Sequence, residues 1–241
     1  PVPPITDATA VGPVESPLPD WIARPAPSVA GPELLRPSKA LAEIATKEAL
    51  PAYPAVSAFE AALAPESFEA RRGRVIHKLL EVLPDMAAER RRMAAEAFVA
   101  RTLADSEAAD RDRLVDEVLR VIEDGAFAAL FAPGSRAEVA IAGEIALADG
   151  TRRAVSGQID RLAVSATDVV VLDYKTNRNP PADAAGTPRD YLAQMAVYRR
   201  VLADIFPGRR IRCAILWTAR PSISELDPAA LDAMAAGLSF S

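Results

Sequence analysis

The sequence predicts an α/β domain, a small mixed sheet flanked by helices and preceded by a proline-rich arm. Three observations predict it. Apolar residues recur at helical spacing from about Ser67 to Asp124, the apolar period falls to two from Ala137 to Lys175, and 12 of the 21 prolines lie in the first 54 residues. The expected division is an arm or linker over 1–65 and the domain over 66–241.

The arm is rich in Pro, Ala and Ser, a composition that favours extended backbone, with one short helix expected near Ser38–Ala49 and Trp21 as an anchor onto another surface. It is expected to add little to the domain, so that a chain beginning near Ser67 keeps nearly all its stability. In "ARRGRVIHKLLEVLP" the residues Val75, Ile76, Leu79, Leu80 and Leu83 form one helical stripe, stopped at Pro84. "DMAAERRRMAAEAFVARTLA" and "SEAADRDRLVDEVLRVIED" read as two further amphipathic helices, the second capped by Ser106 and ending before Gly125. "AEVAIAGEIAL" and "RRAVSGQIDRLAVS" are strands joined through Asp149-Gly150, a hairpin signal. "VVVLDYKT" is a third strand after a turn at Ala166–Asp168, and the polar loop "NRNPPADAAG" follows it. Thr187, Pro188 and Asp190 are expected at the N-cap, first and third positions of a helix that stops at Pro207-Gly208. "RRIRCAILWT" is a fourth strand, with Trp217 and Cys213 in its packing, and "DPAALDAMAAGL" a terminal helix.

Composition narrows the function classes. Half of the 241 residues are apolar and a quarter charged, as in ordinary soluble proteins. No apolar run approaches the roughly 18 residues of a membrane span, and the N-terminal stretch has no signal-peptide pattern. The chain lacks an initiator Met and is expected to be part of a longer protein or a processed product. The lone Cys213 excludes an internal disulfide and a four-cysteine zinc or iron–sulfur site within the chain, and fits a cytoplasmic location. The net charge of −5 argues against non-specific nucleic-acid binding, although a local basic patch can sit on an acidic protein.

The chemistry concentrates where the third strand ends. Val169–Leu172 run directly into Asp173, Tyr174 and Lys175. On a strand, residues two apart share a face at about 6.5–7 Å, so Asp173 and Lys175 project together and Tyr174 points away. Asp160, taken to end the preceding strand, can sit across from Asp173. Two carboxylates on adjacent strands suit a hard, oxygen-preferring cation, and a neighbouring lysine can orient or deprotonate a water or neutralise charge in a transition state. Phosphodiester hydrolysis needs this combination. A lone Asp-x-Lys is commonly a plain ion pair at a sheet edge; a lone histidine, His77, is commonly structural; Tyr198 can be core; and the arginine runs at 71–74, 90–92 and 199–200 can be solvated faces. What distinguishes this sequence is the order of the pieces: His77 in "GRVIHK", Gly157 and Asp160 in "GQID", Asp173 and Lys175, then Gln194 and Tyr198 one helical turn apart in "QMAVY".

That ordered set resembles the RecB-type branch of the PD-(D/E)xK nucleases, over about residues 66–241. "AILWTARPSISELD" and the lead-in "PDWIARPAP" look more specifically like the C-terminal nuclease domain of AddA-type subunits of bacterial helicase–nucleases. The resemblance implies a restriction-endonuclease-like core and an Mg²⁺-dependent deoxyribonuclease, with Mn²⁺ able to substitute. It implies exonucleolytic resection of double-strand breaks beside ATP-dependent helicase domains of the same full-length chain and an AddB-type partner subunit. Asp160, Asp173 and the Tyr174 carbonyl would be metal ligands, His77 a further ligand brought close by Gly73, and Lys175 the catalytic lysine. Gln194 and Tyr198 would position the DNA or the site, Arg74 and Lys78 would guide the DNA backbone, and Glu138 matches an acidic position near the metal. The four-cysteine cluster of AddB-type subunits has no counterpart here, since Cys213 stands alone. The alternative is an inert DNA-end or protein-binding module on the same fold.

Overall fold

Ser67 opens the first helix, its side chain accepting from Ala70 N at 3.2 Å. The computed structural model describes residues 35–39, 67–147 and 150–238. Trp21, most of the helix expected over 38–49, and Asp149 of the hairpin turn lie outside the described residues.

Helix α1 (Phe68–Val82) buries Val75, Ile76, Leu79 and Leu80, the expected stripe, and passes into a 3₁₀ turn, Leu83–Asp85, at Pro84. Helices α2 (Ala88–Thr102) and α3 (Ala108–Glu123) complete this layer. Ser106 does not cap α3: the cap position is Glu107, with no side-chain bond, while the buried Ser106 Oγ has no hydrogen-bond partner and its carbonyl accepts from Arg111. A 3₁₀ segment, Gly125–Phe131, which the sequence pattern did not reveal, follows and buries Phe127.

Strands β1 (Ser135–Ala146), β2 (Arg152–Val164), β3 (Asp168–Lys175), β4 (Arg210–Trp217) and β5 (Ser222–Glu225) form one mixed sheet in that order. β3 and β4 run parallel; every other neighbouring pair is antiparallel. The parallel pair needs a crossover, supplied by α4 (Arg189–Ile205). Helix α4 starts one residue later than expected, with Pro188 at the cap. Thr187 instead closes the preceding 3₁₀ turn, its N–H bonded to Ala184 O at 3.2 Å, and its buried Oγ1 has no partner. The fifth strand was not expected because its pattern is inverted: Ser224 faces in, accepting from Trp217 Nε1 at 2.9 Å, and Ile223 is exposed. Helix α5 (Pro228–Ala236) is capped by Asp227.

Helices α4 and α5 pack on one sheet face over Ile159, Val169, Val171, Cys213 and Ile215; α1–α3 pack on the other over Leu172, Tyr174 and Leu216. The result is a three-layer α/β/α arrangement. Among the described residues no helix is long and apolar enough to cross a membrane.

One residue of the expected arm, Leu35, packs onto the sheet, so its contribution to stability is open to test. β3 pairs with only the last four residues of β2, Arg161–Val164, which leaves the first half of that edge open. Leu35 docks there: its N–H donates to Ala154 O at 2.9 Å, its carbonyl accepts from Ser156 N at 3.1 Å, and its side chain is 3% exposed. Pro37 lies against Gly157, where a Cβ would come within 3.0 Å of both the Pro37 and Tyr198 rings. Leu35→Ala is therefore expected to cost about 2–5 kcal/mol. Urea unfolding measures it, and an unchanged midpoint would show that this contact contributes nothing.

Candidate active site

The strand period places the first residues as expected. Asp173 and Lys175 face α4 and Tyr174 faces the other layer, where its hydroxyl accepts from Arg161 Nε at 2.9 Å. Lys175 Nζ lies 2.7 Å from Asp173 Oδ2. Gln194, reaching down from α4, joins the two: its Nε2 donates to Asp173 Oδ1 at 2.9 Å and its Oε1 accepts from Lys175 Nζ at 3.2 Å.

Asp160 is not at a strand end. It lies inside β2, at a point where the ladder opens on both sides. The β2–β3 pairing stops at Arg161–Leu172, one position short of Asp160 facing Asp173. The β1–β2 register skips Glu138, which has φ 51° between the paired Ala137 and Val139. A left-handed conformation is costly for a glutamate and is held only by its surroundings. Side-chain alternation also breaks here: Ile159 and Leu162 both join the α4-side core, whereas Arg161 donates to Leu80 O and Tyr174 OH on the opposite side. The Asp160 carboxylate takes the place of the missing ladder bond, its Oδ2 accepting from Tyr174 N at 2.6 Å.

His77 closes the cluster from α1. Its Nδ1 lies 3.3 Å from Asp160 Oδ1 and its Nε2 3.1 Å from the Tyr174 carbonyl. Gly73 is not needed for this approach, since a Cβ there would make ordinary contact, 3.4 Å from Thr176 Oγ1. His77, Glu138 and Asp160 each offer one ligand atom, all within 4.8 Å of one another. Asp173 is outside that trio, held on the α4 side by Gln194 and Lys175.

Electrostatics favour a cation here. Burial pushes the Asp173 carboxyl up to about 6, helped by the Asp160 charge and opposed by Lys175. Burial also raises Glu138, followed by the charges of Asp160 and Glu81. Burial would lower His77, but its hydrogen bond to Asp160 and the charges of Asp160 and Asp173 outweigh it, so the net direction is upward. The metal-free ring thus favours a proton beside both acceptors. Asp173 Oδ2 is buried, with the Lys175 ammonium 2.7 Å away as its ion-pair partner. An imidazole, carboxylate oxygens and a backbone carbonyl suit a small divalent cation, so the residues fit the group that the sequence resemblance implies.

Arg74, Lys78, Glu81 and Gly73 line, with His77, Glu138 and Asp160, an open cleft of about 390 Å³. Lys78 pairs with Glu81 at 2.7 Å. Tyr198 is buried, and its hydroxyl donates to Gln158 O at 2.6 Å, so it braces β2 rather than facing the cleft. The other arginine runs are mostly engaged within the fold: Arg91 caps the carbonyls of Leu83, Pro84 and Met86, Arg92 pairs with Asp116, and Arg199 pairs with Asp232.

Three supporting groups were not anticipated. Arg72 forms a buried pair with Glu117 and donates to Thr176 O at 3.1 Å, and Glu117 also accepts from Thr218 Oγ1 at 2.5 Å. A signal existed, because Arg72 lies three and four residues before Val75 and Ile76, on the apolar stripe. Arg161 is buried beneath the site. Tyr191, in the first turn of α4, places its ring under Lys175.

A family model described as the PD-(D/E)XK nuclease superfamily matches residues 53–235. No curated protein matches the chain. Among solved structures, one titled "Crystal structure of SSO0001" is 15% identical, with 72% of this chain and 85% of that chain covered and a TM-score of 0.31.

Proposed function

The chain belongs to the PD-(D/E)XK nuclease superfamily, and from that premise we propose that it is a metal-dependent deoxyribonuclease whose site is the opening between β2 and β3. The observation that carries this reading is the meeting of His77, Asp160 and the Tyr174 carbonyl within hydrogen-bond distance, next to the Asp173–Lys175–Gln194 cluster. Asp160, Asp173, His77 and the Tyr174 carbonyl would hold Mg²⁺ or Mn²⁺, with Glu138 beside them. When bound, the cation lowers the pKa of a coordinated water and stabilises charge on the phosphate.

The chain's own residues supply the rest. Lys175 is held with its ammonium facing the carboxylates, where it can hydrogen-bond the attacking water or offset charge on a phosphate oxygen. Gln194 fixes the Asp173 carboxylate and the Lys175 head relative to each other. Arg74 and Lys78 line the cleft and contact phosphates, which positions a strand without reading its sequence. At the finer level, the ordered motifs and "AILWTARPSISELD" support a nuclease domain of an AddA-type helicase–nuclease, acting in double-strand-break resection with an AddB-type subunit and helicase domains of its own longer chain.

Calorimetric titration with Mn²⁺ and cleavage of end-labelled single-stranded DNA, with and without Mg²⁺, test the proposal. Wild-type protein is expected to bind Mn²⁺ and cut, and Asp160→Ala to lose both. DNA binding without Mn²⁺ binding or cleavage would instead support the inert module.

A further inference from the structure

Lys175 carries a third contact besides its two oxygens. An ammonium has three N–H donors and no acceptor. Asp173 Oδ2 lies 2.7 Å from Nζ and Gln194 Oε1 3.2 Å away; the remaining side is covered by the Tyr191 ring, whose centroid lies 4.2 Å from Nζ. The face of an aromatic ring is electron-rich and attracts a cation at this range. We propose that Tyr191 is the positioning residue for Lys175, its ring face holding the charged ammonium against Asp173 and Gln194. This rests on the nuclease reading above.

The ring is itself fixed. Tyr191 lies three residues before Gln194 on α4, so both project from one side of the helix toward the end of β3. Its N–H is bonded to Pro188 O at 3.0 Å, its hydroxyl donates to Asn177 Oδ1 at 3.2 Å, and its ring lies 6.1 Å from that of Trp217. Asn177 follows Lys175 by two residues, so the hydroxyl also ties down the chain leaving β3. The arrangement has a use during turnover. Were Asp173 to hold a cation, the ring and Gln194 would still keep the Lys175 ammonium in place. A lysine has four rotatable side-chain bonds, and fixing them beforehand keeps the head group in a reactive position.

The test combines a spectroscopic and a kinetic readout. The chain has four lysines, Lys39, Lys47, Lys78 and Lys175, so the Cε–Hε signals of ¹³C-lysine-labelled protein can be assigned with Lys175→Arg. The Lys175 Hε signal is expected to be shifted upfield by the ring current in wild type and Tyr191→Phe, and to return to the free-lysine position in Tyr191→Leu. Single-turnover cleavage by Tyr191→Phe should stay within about twofold of wild type, whereas Tyr191→Leu should cut roughly tenfold more slowly at unchanged KM, the range expected for loss of one cation–π contact. An unshifted Lys175 signal in wild type overturns the proposal, and needs no variant to fold. So does a Tyr191→Leu protein that cuts at the wild-type rate, or one that only raises KM, which would make the ring a DNA contact. Lys175→Ala separates the two levels. Wild-type cleavage by Lys175→Ala removes the site reading itself, whereas loss in Lys175→Ala with none in Tyr191→Leu removes only the role of Tyr191.

Discussion

Asp173→Asn is expected to make the metal-free protein more stable by about 3 kcal/mol at pH 8, to change it little at pH 4, and to abolish cleavage. The carboxyl is pushed up from 3.8 to about 6, first by burial and then by the Asp160 charge. An acid whose folded-state pKa is raised holds its proton more tightly when folded. Its contribution is therefore fully present below the unfolded value and is lost as pH rises from about 4 through 6. At about 1.4 kcal/mol per tenfold, that window corresponds to about 3 kcal/mol. Asparagine mimics the protonated form, so the variant escapes the loss. Thermal melting of both proteins in EDTA from pH 4 to 8 measures it; parallel curves would mean that the Asp173 charge is not destabilising. Added Mn²⁺ should reverse the order by stabilising wild type more than the variant, because a ligand raises stability only where it binds.

Glu117→Ala is expected to lower stability by about 3–5 kcal/mol, because it leaves the Arg72 guanidinium buried without its carboxylate. The pair spans α1 and α3, and its two further bonds, to Thr176 O and from Thr218, reach the ends of β3 and β4. The double variant Arg72→Met/Glu117→Leu should recover most of that stability, since apolar side chains of similar volume often replace a buried pair without loss. It should not recover the bond to the Thr176 carbonyl, one residue past Lys175, so cleavage should remain reduced. Chemical denaturation and cleavage on the same samples separate the two effects. A stable double variant with wild-type cleavage would show that Arg72 serves the fold alone.

Much of the architecture was legible because it is written locally. The stripe from Val75 to Leu83 and the alternation in β1 to β3 each reflect burial of one face of one element, which a short window reveals. The caps were less legible. Ser106 and Thr187 are good capping residues, yet each helix starts one residue later than they predict, and both hydroxyls are left buried without a hydrogen-bond partner. β5 was hidden because a buried serine satisfied by Trp217 reads as a polar position.

By itself the sequence determined the identity and order of His77, Asp160, Asp173, Lys175, Gln194 and Tyr198, and the shared face of Asp173 and Lys175, since these follow from residue types and the strand period. Tertiary structure decided what those residues meet. Strand alternation fixes side-chain direction only while both ladders are intact. At Asp160 both are interrupted, and the carboxylate turns toward Tyr174 N and His77, groups 14 and 83 residues away. The Leu35 docking on a vacant strand edge, the buried Arg72–Glu117 pair and the Tyr191 ring under Lys175 have the same origin. Each is a contact between distant segments whose energy depends on burial, which no local pattern encodes.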